Sequence, residues 1–319
     1  MTSERRPTVT VIVPGHDVAE YAQEALDSLR AQTFRAWTAV LVDDTSTDGT
    51  GEVFDAAADR DPRFRVVHHA ERAGLGAARN TGLDLVDTTY VGFLDADDRL
   101  TPDALARLVE TLARTGSDFV AGAYVRLRPH GGGGYTAGTV QPWVSAATDP
   151  ERVGVTLRTH PDASGNIVAW SKLSRHDFWG RTGLRFPEGA LYEDQVVAQQ
   201  MYVKARAFDV IPDVLVHWRE RADGSSITQR KDELPVLRDY LSAMAGGIGV
   251  LDAAGYVDAA ESRVQLILTM DVPPLVRIAQ GHPDAAYRRL LADFVRTLHD
   301  RPSPAPRPTS EDVSAALLW

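Results

Sequence analysis

The sequence predicts an α/β fold built on a parallel sheet, and two observations carry that reading. Short β-rich apolar runs recur from Val9 to Ala123, and helical patterns lie between them. The runs are Val9–Val13, Ala39–Val42, Arg65–Val67, Tyr90–Leu94 and Phe119–Ala123. Between the first two, Asp17 and Glu20 have the spacing of a capping box, and Val18, Tyr21, Ala25 and Leu29 share one helical face. After the fourth, Thr101 and Pro102 read as an N-cap and first helical proline, opening a helix to about Arg114. Ligands of open α/β sheets bind beyond the carboxyl ends of the strands, so the residues that follow each run carry the functional reading.

Past the fifth run the composition changes. His130–Gly138 is Gly-rich and polar, and predicts a mobile loop closing the first half. The segment from Pro142 to Thr228 carries four of the six Trp, at 143, 170, 179 and 218. Beyond Gln229 the pattern turns helical, with Leu234, Leu237, Leu241 and Met244 as one stripe and Tyr287, Leu290, Leu291 and Phe294 as another. Arg301–Pro308 is Pro-rich, an extended linker, and Ser310, Glu311 and Asp312 open a short terminal helix.

Composition excludes several classes. With 319 residues, 44% hydrophobic and 24% charged, the chain is globular and long enough for a large domain and an appendage. Its 44 acidic against 34 basic residues give a net charge of −10, which repels a nucleic-acid backbone. Zero Cys removes disulfides, thiolate metal sites and thiol nucleophiles, and suits a reducing cytosol. The apolar run near the N-terminus is too short for a signal peptide, and no stretch reaches the ~20 apolar residues of a membrane span. We therefore expect a soluble, cytoplasmic protein with at most peripheral contact at the inner face of a membrane.

The strongest chemical signal is YVGFLDADD, Tyr90–Asp98, where a buried-type strand runs into three carboxylates within four positions. Side chains alternate along an extended segment, so Asp95 and Asp97 flank Ala96 on a common side and suit Mg²⁺ or Mn²⁺ beside a diphosphate. The alternative is a solvated turn in which Asp98 caps a helix. A second acidic loop, VDDTSTDGT after the second strand, offers Asp44 as an acceptor for base or ribose groups; a plain turn is the alternative. Its calcium-loop spacing is set aside, because a strand precedes it and Asp55 stands where the bidentate Glu belongs.

The third segment, AGLGAARNTG, superficially fits a dinucleotide fingerprint. Arg79 occupies the third glycine's place and the segment lies far from the first strand's own turn, Pro14–Asp17, which argues against nicotinamide binding. Glu193 and Asp194 precede a helical pattern, where acids also simply complement the helix dipole. In VHWRERADGSSIT, Arg219 and Arg221 share a strand face and Ser225 and Ser226 follow; guanidinium forks and hydroxyls suit a departing diphosphate.

Together the first strand, VDDTSTDGT, GLGAARNTG and FLDADD resemble the family 2 inverting glycosyltransferases. The resemblance implies the GT-A fold: Rossmann-like, a mostly parallel sheet with helices on both faces. It implies a catalytic domain over 1–228, followed by a helical appendage over 229–300 and a linker with a terminal helix over 301–319. It further implies transfer of a sugar from a nucleotide diphosphate donor, UDP being the expected nucleotide, to a hydroxyl acceptor. By position, Pro14, Asp44, Arg79, Asp95, Ala96, Asp97, Arg219, Arg221, Ser225 and Ser226 would face the nucleotide sugar. Asp95 and Asp97 would hold the metal.

VAWSKLSRHDFW and GLRFPEGALYEDQVV are similar to the acceptor-lining stretch of teichoic-acid and capsule-type members. This implies Trp170, Lys172 and Glu193 on the acceptor side and Asp194 as catalytic base; a packed aromatic and a surface amine are the alternatives for Trp170 and Lys172. His217 stands where the family has an aromatic, so it is either a third metal ligand or a neutral core histidine, the latter favoured. The helical appendage is a candidate homo-oligomer surface. The rival readings are a nucleotidyltransferase acting on sugar phosphates, and a non-catalytic nucleotide-sugar-binding scaffold.

Overall fold

A computed structural model describes residues 8–131, 133–303, 307 and 310–319. The charged N-terminal start and parts of the Pro-rich stretch lie outside them. Among the described residues ten strands form one sheet: β1 (Val9–Gly15), β2 (Trp37–Asp43), β3 (Phe64–His68), β4 (Tyr90–Phe93), β5 (Arg99–Leu100), β6 (Phe119–His130), β7 (Gly134–Ala137), β8 (Arg152–Val155), β9 (Lys172–Arg175) and β10 (Phe208–Arg219). The order is β3-β2-β1-β4-β9-β6-β10-β5, with β7 on β6 and β8 on β10. β1 to β4 run parallel, and β6 and β10 share their direction; β5, β7, β8 and β9 are reversed. The sheet is thus mostly parallel, and the five expected runs are all strands.

Alternation along β1 and β2 gives the sheet two buried faces. Ile12, Val40 and Val42 point to the helix Leu75–Leu83, where Gly82 lies so close that a Cβ would fall 2.3 Å from Ile12 Cγ2. Gly15 faces the opposite way, toward Phe54 of the helix Thr50–Arg60. Both faces being covered explains why the strands read as continuous apolar runs rather than alternating ones.

Three local expectations are corrected. The helix Ala19–Arg30 buries the expected face, but no capping box forms: Asp17 takes a positive φ and accepts from Thr47 N, and Asp48 of the neighbouring loop accepts from Ala19 N at 2.8 Å. The helix after β5 starts at Ala104, since Thr101 Oγ1 donates to Val214 O instead of capping it. The Gly-rich segment is a hairpin: β6 continues to His130 and pairs with β7, so the sheet crosses the expected break.

The helical stripes of the C-terminal part form a second apolar core around Leu237, Met244, Leu268, Leu275, Tyr287 and Leu291. Its first helix, Leu234–Ala253, packs Gly246 and Gly247 against Val196 and Gln199 of the helix Asp194–Lys204. Ser310 caps the terminal helix Glu311–Leu317 by accepting from Val313 N. Among the described residues no helix is long and apolar enough to cross a membrane.

Candidate active site

Parallel register brings the carboxyl ends of β1, β2 and β4 side by side, Gly15 against Asp43 and Ile12 against Phe93. Pro14 lies within the sheet opposite Val42. Just beyond β2, Asp44 is buried, and its carboxylate accepts from His69 Nδ1 at 2.8 Å and from the backbone N–H groups of Ala73 (2.9 Å) and Gly74 (2.8 Å). Burial opposes ionisation there, but these donors hold the Asp44 pKa below the ordinary carboxylate range. Asp44 thereby ties the approach to the 75–83 helix to the strand end, and one of its ~four lone-pair sites is left over.

The next acids form a tight turn closed by Asp98 N donating to Asp95 O at 2.9 Å. Ala96 is buried between them. Asp97 Oδ2 accepts Nε of Arg221 at 2.8 Å and lies 2.7 Å from its Nη2 in the same ion pair, and Asp95 Oδ1 accepts Nη2 of Arg79 at 2.7 Å. Asp98 lies fully inside; Oδ1 takes Arg219 N at 2.7 Å, while Oδ2 is buried with no partner. Burial raises the pKa of Asp97 against the pull of Arg221, and burial with the charges of Asp97 and Asp95 raises that of Asp98 well above its usual range.

β10 delivers the two arginines to this turn, but they divide the work. Arg219 is enclosed: Nε donates to Asp97 O at 2.6 Å, Nη2 pairs with Glu24, and the rings of Tyr21 and Tyr135 lie 5.1 and 4.3 Å away. Through these contacts it shapes the turn from within the fold. Arg221, past the strand end, is the more open and reaches Ser225 Oγ at 3.3 Å. Ser226 shares a 3.1 Å hydrogen bond with Thr228.

His217 sits beside Arg99, whose Nη2 donates to Nδ1 at 3.4 Å; burial and that guanidinium lower its pKa. No group of three or more His, Asp or Glu among the described residues is arranged to hold a metal ion. The donor set that fits a divalent cation is smaller: Asp95 and Asp97, each with one oxygen on a guanidinium, beside the orphaned Asp98 Oδ2.

The third element is the loop that leads into the helix Asp194–Lys204. Arg79 is 1% exposed; Nη1 pairs with Glu193 and Nη2 with Asp95, while Nε is buried without a partner. Its neighbour Asn80 pins the loop through Phe186 N and Phe186 O, each at 2.9 Å. Tyr192 takes φ 61°, turning the chain so that Glu193 points inward and Asp194 starts the helix. Asp194 is half-buried and carries no ion pair; burial and the Asp95 charge raise its pKa against Arg79 and Lys172.

The three residues expected on the acceptor side are internal. Trp170 packs edge-on to Tyr124 and stacks with Trp218. Lys172 is 3% exposed, not a surface amine: Nζ donates to Asn166 O, Asn166 Oδ1 and Val168 O, and burial pulls its pKa down to about 7. Glu193 is likewise buried, on Arg79 rather than toward solvent. Sequence reading missed Tyr21, Glu24, Asn80 and Tyr135. Tyr21 was legible only as a core position, and the glycines around Tyr135 concealed a strand.

Residues 10–170, about half the chain, match the family described as Glycosyl transferase family 2. Glycosyltransferase GlyA of Streptococcus pneumoniae serotype 4 is 30% identical over 250 residues, 78% of this chain and 35% of GlyA. The uncharacterized glycosyltransferase EpsJ of Bacillus subtilis is 30% identical over 218 residues, 67% of this chain and 61% of EpsJ. The chain thus spans about a third and about three fifths of these two relatives. Among solved structures, S. aureus TarS 1–349 superposes with a TM-score of 0.70 at 19% identity, covering 91% of this chain and 81% of that one. The mannosyltransferase PcManGT of Pyrobaculum calidifontis, in complex with GDP-Man and Mn²⁺, gives 0.53 at 19% identity over 99% and 88%. At such identity the likeness is one of fold, the GT-A fold. With the family match over the sheet and its carboxylate turn, the chain belongs to glycosyl transferase family 2.

Proposed function

We propose that the chain transfers a sugar from a nucleotide diphosphate sugar, with UDP as the nucleotide, to a hydroxyl acceptor with inversion at the anomeric carbon. The observation that carries this is Asp194: a carboxylate without an ion pair, raised in pKa, at a helix start next to the Arg79–Asp95 pair. A base needs accessibility, a raised pKa and a defined position, and the partial exposure of Asp194, its raised pKa and its place at a helix start support that role. It would take the proton of the acceptor hydroxyl as that oxygen bonds to the anomeric carbon and the diphosphate leaves.

On the donor side Asp44, Asp95 and Asp97 would receive the nucleotide sugar, and Arg221 with Ser225 would meet the growing negative charge of the leaving group. Asp97 and Asp95 are the residues to hold Mg²⁺ or Mn²⁺. A bound divalent cation would supply charge neutralisation at the diphosphate. Support for the donor class also comes from fold neighbours solved with UDP-GlcNAc (TarS 1–349, TM-score 0.67) and with GDP-Man and Mn²⁺ (PcManGT). A cytoplasmic location with peripheral membrane contact and a glycan, cell-surface polymer or secondary-metabolite acceptor accord with this reading.

The test is incubation with a panel of nucleotide sugars and Mn²⁺, following what is released. Nucleotide diphosphate identifies a glycosyltransferase. Pyrophosphate from a nucleoside triphosphate and a sugar phosphate would identify a nucleotidyltransferase instead, and saturable binding with no turnover across donors and acceptors a scaffold.

A further inference from the structure

The polar side chains of the segment GLGAARNTG are engaged within the fold, Arg79 on Glu193 and Asp95, Asn80 on Phe186 and Glu188, and Thr81 on His69. Its helix, Leu75–Leu83, buries Gly76, Ala77, Ala78, Arg79 and Asn80 in succession. Four successive positions span a full helical turn, so burial on all of them means that the helix is enclosed on every side. One side is the sheet, through Gly82 on Ile12. Another is the loop 186–193 that precedes Asp194. Gly76 meets that loop's backbone: a Cβ there would fall 2.0 Å from Pro187 O. Asn80 matches the backbone of Phe186 as a neighbouring strand would, accepting from its N–H and donating to its carbonyl, each at 2.9 Å, with a further donation to Glu188 Oε1 at 2.9 Å. Arg79 closes the loop's far end through Glu193 and lies 5.3 Å from the ring of Phe186. The same guanidinium holds Asp95 at 2.7 Å, one position before the Ala96–Asp97 step of the carboxylate turn.

We infer that Arg79 and Asn80 are positioning residues for the base: they fix the loop 186–193, and with it the start of the Asp194 helix, relative to the carboxylate turn. The inference rests on Asp194 being the base. The geometry requires such a brace, because the turn and the base lie almost a hundred residues apart in the chain, on β4 and on a separate helix, and share no direct hydrogen bond. A guanidinium fork is suited to the task, since it fixes two carboxylates in one plane where an ammonium would act as a point charge. A displacement of ~1 Å in a reacting group costs ~10²-fold in rate, so a brace that touches no substrate still controls turnover.

The variants are Asn80→Ser, which removes the amide clamp and leaves the ion pairs, and Arg79→Lys, which keeps the charge and loses the fork. Each is made alone and combined with Asp194→Asn, with folding followed by thermal melting. The readouts are kcat and acceptor KM for transfer, and UDP affinity by calorimetry with Mn²⁺. We expect each single variant to lower kcat at least tenfold with UDP affinity within about threefold of the parent, and each to add little to the loss already caused by Asp194→Asn, because residues acting through one group are non-additive. Three results would overturn the inference. A tenfold loss of UDP affinity in Arg79→Lys would return that residue to the nucleotide. A full multiplicative loss on top of Asp194→Asn would show that the brace acts elsewhere, and unchanged kcat in Asn80→Ser that it is not needed. Should Arg79→Lys fail to fold, Asn80→Ser decides alone. Normal turnover in Asp194→Asn itself would remove the base, and the brace with it, which separates that failure from one of the brace only.

Discussion

The acids that follow β2 and those that follow β4 both end a parallel strand, yet their surroundings are opposite. After β2, Asp43, Asp44 and Asp48 resist burial through dedicated donors: Ser46 and His68 for the first, Ala73, His69 and Gly74 for the second, Thr50 and Ala19 for the third. All three are held below the ordinary carboxylate range. After β4, burial and mutual repulsion push Asp97 and Asp98 upward, and one oxygen of Asp98 is left without a partner. Asp194 belongs with this second group. The first set is stabilised by the fold's own donors, with one acceptor site of Asp44 left over for the nucleotide sugar proposed above. The second is relieved only in part, Asp97 by Arg221, and it is this set that the proposed function uses to receive a cation, a substrate and a proton.

Substitutions can break that contrast. The largest effect is expected at Asp97: Asp97→Ala should abolish metal-linked UDP binding while the protein stays folded, and undiminished metal-dependent affinity in calorimetry would remove it from the cation site. The two loops should then differ in stability. In Asp44→Asn an amide N–H₂ must face a backbone N–H or His69, so we expect a loss of ~1–3 kcal/mol in denaturant unfolding. Asp98→Asn keeps the acceptor for Arg219 N and removes a buried charge that lacks full compensation; its stability should be unchanged or raised. Equal losses in both would erase the distinction drawn here.

The smallest effect concerns pH. His68, between Asp43 and Asp55, has its pKa raised by hydrogen bonds to both. Its contribution is therefore fully present below the unfolded value of ~6.5 and is lost as pH rises through the folded value. Asp44 has the opposite sign: its contribution is present above ~3.9 and is lost as pH falls through its lowered folded value. Urea midpoints measured from pH 5 to pH 8 should fall slightly for the parent and stay flat for His68→Gln, and a parallel fall in both would assign the slope elsewhere.

The sequence made the strands legible because each is a local apolar run whose faces are both covered. It made the acids legible because three carboxylates after such a run are costly to bury without a purpose. What it concealed was partnership across distance. Nothing local to Arg79 announces its ion pair with Glu193, 114 residues away. Lys172 looks like a surface amine until the three oxygens of Asn166 and Val168 enclose it. The capping box at Asp17 failed for the same reason, since Asp48 from another loop took the helix N-terminus. The Gly-rich run from His130 read as a break because glycine signals flexibility locally, and only pairing with β6 makes it a hairpin.

The central claim is that Asp194, and not its neighbour, removes the acceptor's proton. Glu193 is committed to Arg79, whereas Asp194 carries no ion pair. Asp194→Asn keeps shape and removes basicity, so kcat for transfer should fall by ~10²- to 10⁴-fold with UDP affinity nearly unchanged. Glu193→Gln should lose less. Both variants are to be assayed for kcat and donor affinity side by side; near-normal turnover in Asp194→Asn, or a larger loss in Glu193→Gln, would contradict the account.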